Sequence, residues 1–197
     1  SGSANNTISI AAGGLVTVTA VGAAAIGVVD SDNNTINIGG TVFGNAIGAQ
    51  GVAVVGTSTS NAINVFAGGS VIGFDGIFFN AGGNTINNAG TISGTVGAGI
   101  TGSTGIDTVF NSGTITSGGI AVNFLGGADS LTLAPGSVIT GLVLGGTGTD
   151  TLGFGGSGSA SFNLGDLGAG LQYDEFELLQ KSGSSIWTLT GTSAFNG

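Results

Sequence analysis

Ten carboxylates and a single amine, Lys181, are the whole charged inventory of this 197-residue sequence, which has no His, Cys or Arg. Three of the carboxylates recur with a regular step. Asp107, Asp129 and Asp150 lie 22 and 21 residues apart. Carboxylates brought together at such a step have three chemistries open to them. Two of them can hydrolyse a glycosidic bond, several can hold calcium, or each can accept turn amide hydrogens. A Ser-His-Asp or Cys-His nucleophile is excluded, and so is a His-ligated metal. Lys181, the one candidate base for an elimination, lies outside the repeats described below.

The run "GGTGTDTLG", 145 to 153, fits the calcium nonapeptide G-G-x-G-x-D-x-U-x. It occurs once in full, and the acidic step is 21 residues where a calcium roll repeats every nine. We read it as a glycine-rich corner followed by a strand. No residue is assigned a catalytic, cofactor-binding or metal-ligating role, no cofactor is expected, and an enzyme is not expected. Stacked one coil apart, Asp107, Asp129 and Asp150 repel one another, and four readings stay open: exposure to solvent, capping of turn amides, partial protonation and a bound calcium ion.

The elements that position these acids are repeats. An Asn or Asp, a small residue and an aliphatic residue recur as "NTISI" at 6, "NTINI" at 34, "NAINV" at 61, "NTINN" at 84, "DTVFN" at 107, "DSLTL" at 129 and "DTLGF" at 150. Each copy leads through a glycine turn to a second short run, such as "GTVFG" at 40 or "GTISG" at 90, and then to a third, such as "GVAVV" at 51 or "GIFFN" at 76. Alternation at period 2 marks these runs as strands. Three strands and three turns in each repeat predict a right-handed parallel β-helix of about seven rungs, stacked at about 4.8 Å. Ile86, Ile92 and Ile100 are expected inside. Asn6, Asn34, Asn61 and Asn84 are expected to form an amide ladder, because each side chain carries both a donor and an acceptor.

Composition narrows the partners. Only 6% of residues are charged, against about a quarter in an ordinary domain. The net charge is −9, which excludes nucleic acid and anionic membrane as partners. At 41% hydrophobic the chain is not a disordered glycine-rich tract. The start "SGSANNTISI" has no basic segment of the signal-peptide kind, and the chain reads as a piece of a longer one. Thr17/Thr19, Thr57/Thr59 and Thr114/Thr116 form T-x-T pairs that do not recur in successive rungs, so no ice-binding array is expected. Of Phe78 and Phe79, adjacent in sequence, one must face outward. The stretches 20 to 30 and 44 to 60 read as insertions where a ligand would make contact.

Two segments are expected: repeats over 1–160 and a cap over 161–197. The second holds the only Tyr, the only Trp and "YDEFELLQK-SGSS-IWTLTG", which reads as a hairpin closing the open end of the rod. The stretch "FELLQKSGSSIWTLTG", Phe176 to Gly191, resembles the element at the end of autotransporter passenger domains, the type V secreted surface proteins of Gram-negative bacteria. The run "NAGTISG" at 88, its near copy "NSGTITS" at 111 and "GGTGTDTLGF" are similar to that family as well.

The resemblance implies a cell-surface or secreted location reached through the outer membrane. It also implies a C-terminal outer-membrane β-barrel following residue 197, and folding templated from the C-terminal end. The expected function is a structural and adhesive rod. Its expected partner is a host-cell or extracellular-matrix component, or another copy of the chain. A calcium-stabilised repeat module and a β-helix that binds or degrades polysaccharide are the alternatives.

Overall fold

A computed structural model describes residues 4–193. Residues 1–3 and 194–197, with Phe195 and the end of the expected 161–197 segment, lie outside the described residues. The chain is a parallel β-solenoid. Its first face is an eight-stranded sheet in which every strand pairs with the corresponding strand of the next coil. Those strands are Thr7–Ile10, Thr35–Ile38, Ala62–Val65, Thr85–Asn88, Thr108–Asn111, Ser130–Leu133, Thr151–Phe154 and Leu178–Lys181. There are thus eight coils where about seven were expected, because the segment Leu178–Lys181 forms a further one.

The alternation of the repeats dictates which residues turn inward. Ile8, Ile36, Ile63, Ile86, Val109, Leu131, Leu152 and Leu179 stand in one register column. The six inner members are essentially without exposure, while Ile8 and Leu179, at the two ends, are each 37% exposed. Each buried aliphatic contributes about 1.5–3 kcal/mol. Because every coil supplies one, the core is continuous along the axis. Ile92 and Ile100 join it as expected, Phe79 is buried, and Phe78 takes the outer side.

The glycines that open the second runs at 40, 90 and 113 have a steric cause. A Cβ on Gly40 would lie 2.3 Å from the carbonyl oxygen of Gly14, one on Gly90 2.3 Å from that of Gly69, and one on Gly113 2.2 Å from that of Gly90. Successive corners are stacked too closely for any side chain.

The second and third faces share one eleven-stranded sheet, because Thr114–Asn123 and Val138–Leu144 run through the corner that separates them in earlier coils. Each stretch expected to be an insertion holds a regular third-face strand, Ala24–Val29 and Gln50–Val55, paired in parallel and flanked by turns. Their alternating aliphatics bury against the core, so they are not loops. Thr17 and Thr116 do share an outer column, but Phe43, Ile72 and Ser93 stand between them.

The C-terminal hairpin is not formed. Leu178–Lys181 pairs in parallel with Thr151–Phe154, and Ile186–Thr190 pairs in parallel with Ser159–Asn163. The last segment is an eighth coil, and its partners lie 27 residues upstream rather than across a tight turn. The strand Ser159–Asn163 runs across residue 160. It leaves the eleven-stranded sheet and opens a cleft of about 140 Å³ between Ile139 and the rings of Phe162, Tyr173 and Trp187. Gln172 covers the strand edge there, donating from Nε2 to the carbonyls of Ile139 (3.0 Å) and Gly141 (3.4 Å). Phe154 sits 4.9 Å from Phe162 and 5.0 Å from Trp187, and Phe162 sits 5.2 Å from Tyr173, ring centre to ring centre. This aromatic cluster closes the C-terminal end.

Candidate functional site

The recurring Asn and Asp residues form one column at the corner that enters the first face. Each side-chain oxygen accepts the backbone N–H of its counterpart one coil earlier. Asn6 N–H donates to Asn34 Oδ1 (3.0 Å), Asn34 to Asn61 (2.9 Å), Asn61 to Asn84 (3.1 Å) and Asn84 to Asp107 (3.1 Å). The series continues from Asp107 to Asp129 (2.6 Å), from Asp129 to Asp150 (2.7 Å) and from Asp150 to Glu177 Oε2 (2.7 Å). The expected amide ladder is present, and the three aspartates belong to the same column. They cap amides, but the amides are those of the neighbouring coil. Glu177 is an eighth member that sequence reading missed. The segment "FELL" breaks the pattern, and a side chain one methylene longer reaches the same N–H.

Among the amides the column is doubly linked. Asn6, Asn34 and Asn61 also donate from Nδ2 to the Oδ1 of the next Asn, at 2.9, 2.9 and 3.2 Å. Asn34 and Asn61 also donate to the carbonyls of Ser31 and Thr59. Burial is therefore offset by full satisfaction.

A carboxylate has no such donor. Asp107, Asp129 and Asp150 are at most 1% exposed. Asp107 Oδ2 receives the N–H and hydroxyl of Ser103, at 3.1 and 3.0 Å. Asp129 Oδ2 and Asp150 Oδ2 are buried with no hydrogen-bond partner. Burial pushes the Asp129 carboxyl up to about 7, against the pull of the Asp107 N–H, and the charges of Asp107 and Asp150 push the same way. Burial also raises Asp150, aided by Glu177 and Glu175. Asp107 is raised by burial too, though hydrogen bonds from Asn84 and Ser103 oppose it. The consequence is chemical. A proton on Oδ2 turns a carboxyl into a shape copy of an asparagine amide, with a donor where Nδ2 would be.

What this column can do is hold coils in register and take up protons. Among the described residues, no three His, Cys, Asp or Glu side chains gather as a set of metal ligands. Lys181 donates to the carbonyls of Ser182 and Gly183, at 2.6 and 3.2 Å, and so closes its own turn. The corner at 145–153 is the glycine turn that the sequence suggests, with Thr147–Gly148 paired to Gly126–Gly127.

A second amide column, not anticipated, lies on the outer side of the first face at Asn37, Asn64 and Asn87. Its signal was the fourth residue of "NTINI", "NAINV" and "NTINN". A short third column joins Asn88 to Asn111 (2.8 Å) and stops there, since Leu133 follows in register. Asn111 Nδ2 is left without a partner. No protein-family model, curated protein or solved structure matches the chain.

Proposed function

We propose that the chain is the stiff part of an autotransporter-type surface protein, a passenger rod that holds adhesive faces away from a Gram-negative outer membrane. The observation that carries this reading is the unbroken corner column, Asn6 to Glu177, which ties all eight coils into one rod. In such a stack each coil needs only its neighbour, so a chain exported unfolded can order progressively. The aromatic closure of Phe154, Phe162, Tyr173 and Trp187 gives that ordering a starting end. The sequence resemblance of Phe176 to Gly191 points the same way. A chain with no Cys and a single basic residue also suits threading through a narrow pore.

Adhesion is tested with beads that carry the folded rod, washed over cultured cells and matrix proteins. Retention above that of beads carrying heat-unfolded chain is expected; equal retention sinks the adhesive part. Placing the chain between a signal peptide and an outer-membrane barrel tests the export part, with protease accessibility on intact cells as the readout.

The calcium reading is favoured by one observation, the partnerless Oδ2 atoms of Asp129 and Asp150. Calcium bound there would raise Tm, and a chelator would lower it again.

A further inference from the structure

We propose that the outer side of the first face is a binding trough for a neutral polysaccharide. This rests on the adhesive reading and gives it a place and a ligand class. Ser9, Asn37, Asn64, Asn87 and Phe110 occupy one outward register column on five consecutive coils. Asn64 Nδ2 donates to Asn37 Oδ1 and Asn87 Nδ2 to Asn64 Oδ1, both at 2.9 Å. The column thus shows a free amide donor at Asn37 and a free acceptor at Asn87. Four steps at about 4.8 Å make a track about 19 Å long.

Phe66 stands beside this track, 51% exposed. Its counterparts one coil before and after are Gly39 and Ala89, as the corner hydrogen bonds to Ile10, Ile38 and Val65 show. With almost no side chain on either flank, Phe66 lines a hollow on each side. A hollow of about 460 Å³ lies on the Ser9 and Asn37 side, and one of about 280 Å³ lies between Phe66 and Phe110 over Asn64 and Asn87.

The chemistry of the ligand follows from this arrangement. A pyranose ring offers C–H faces to an aromatic ring, and its hydroxyls both donate and accept, as the amide track does. No charged residue lines either hollow. The chain as a whole carries −9, which repels uronate or sulfated polymers. A neutral hexose chain lying along the rod axis meets all of these conditions.

The test is calorimetric titration of the folded protein with cellohexaose, laminarihexaose and maltohexaose, with hexagalacturonate as the charged control. At least one neutral hexaose is expected to bind, and hexagalacturonate is not. Phe66→Ala is expected to weaken binding about tenfold or more with Tm unchanged, while Phe78→Ala, on another face, leaves it alone. Absence of binding by all three neutral oligomers at millimolar concentration overturns the proposal, and so does equal affinity in Phe66→Ala. Sedimentation that shows self-association lost in Phe66→Ala assigns the face to a second copy, which also overturns it. Bead retention separates the two readings: retention that Phe66→Ala leaves intact keeps adhesion and removes the trough, while sugar binding without retention does the reverse.

Discussion

The first four coils and the last four solve one problem with different side chains. In both halves an sp² oxygen at the corner accepts the N–H of the coil before. In the first half that oxygen belongs to Asn, and the residue preceding it is left-handed: Asn5 (φ 63°), Asn33 (φ 55°), Ser60 (φ 57°) and Gly83 (φ 83°). In the second half it belongs to Asp107, Asp129, Asp150 and finally Glu177, and at the last three the special backbone sits one place earlier, at Gly127 (φ 131°), Gly148 (φ 143°) and Glu175 (φ 63°). A Cβ on Gly148 would sit 1.5 Å from the Gly127 carbonyl oxygen, so nothing but glycine fits there. Corner bonds from Asp107 and Asp129 measure 2.6–2.7 Å, against 2.9–3.1 Å among the asparagines. The corner bond into Asp107, from Asn84, keeps the amide length of 3.1 Å, so the shortening is confined to Asp129 and Asp150 as acceptors. Acceptor geometry alone therefore suffices to stack the coils. What differs is the donor, which is built into an amide and must be brought by a proton to a carboxyl.

Unequal deletions break the comparison most severely. A chain ending at residue 165 loses Tyr173, Phe176 and Trp187. Each is a buried or half-buried aromatic worth roughly 3 kcal/mol, and together they approach the whole stability of an ordinary domain, about 5–15 kcal/mol. We expect it not to refold, as judged by the return of the β-sheet circular dichroism signal after dilution from denaturant. A chain lacking the first coil, residues 1 to 30, should refold, because its second coil is as complete as the one removed. Unchanged refolding of the shorter C-terminal truncation would remove the templating role.

The next effect separates the halves by chemistry. Asn61→Ala takes the acceptor from Asn34 N and Nδ2 and the donor from Asn84 Oδ1. It should cost roughly 3 kcal/mol in urea unfolding, and by the same amount at pH 5 and pH 8, because no proton is involved. The wild-type chain itself should lose stability as pH rises. Folded Asp129 keeps its proton up to about 7, whereas the unfolded chain releases it near the ordinary value of 3.8. Between those limits the folded state holds more protons, so unfolding free energy falls with increasing pH and levels off above neutrality, a loss on the order of a few kcal/mol. Asp129→Asn supplies the donor permanently. It should flatten the profile and raise stability at pH 8 by about 2 kcal/mol. A stability that climbs from pH 5 to pH 8 in the wild type would contradict the protonated column.

Much of this was legible because the repeat step fixes the register. Asn6, Asn34, Asn61 and Asn84 could be stacked from their spacing alone, and the interior aliphatics followed at period 2. Burial of Asp107, Asp129 and Asp150 was not legible, since a corner residue can point to solvent or into the turn, and the choice depends on Ser103, Gly127 and Gly148 closing around it. The false hairpin has a similar cause. Two strands joined by "SGSS" read locally as antiparallel, while their true partners, Thr151–Phe154 and Ser159–Asn163, lie a whole coil away. The outer amides at Asn37, Asn64 and Asn87 were visible as letters but not as a column, because at that position Phe110 and Thr132 replace them in later coils.

The smallest effect sharpens the difference between an inner and an outer ladder. Asn64 bonds to Asn37 and Asn87 at 2.9 Å, the same lengths as around Asn34. Water replaces the outer partners at once, so Asn64→Ala should cost about 0.5 kcal/mol or less, where Asn61→Ala costs several times more. Equal lengths thus conceal unequal worth, and burial decides it. Two substitutions three residues apart, measured in one urea series, read that difference directly. A loss at Asn64 as large as that at Asn61 would show that the outer column is also a structural seam, and would leave it poorly suited to exchange its bonds for the hydroxyls of a sugar.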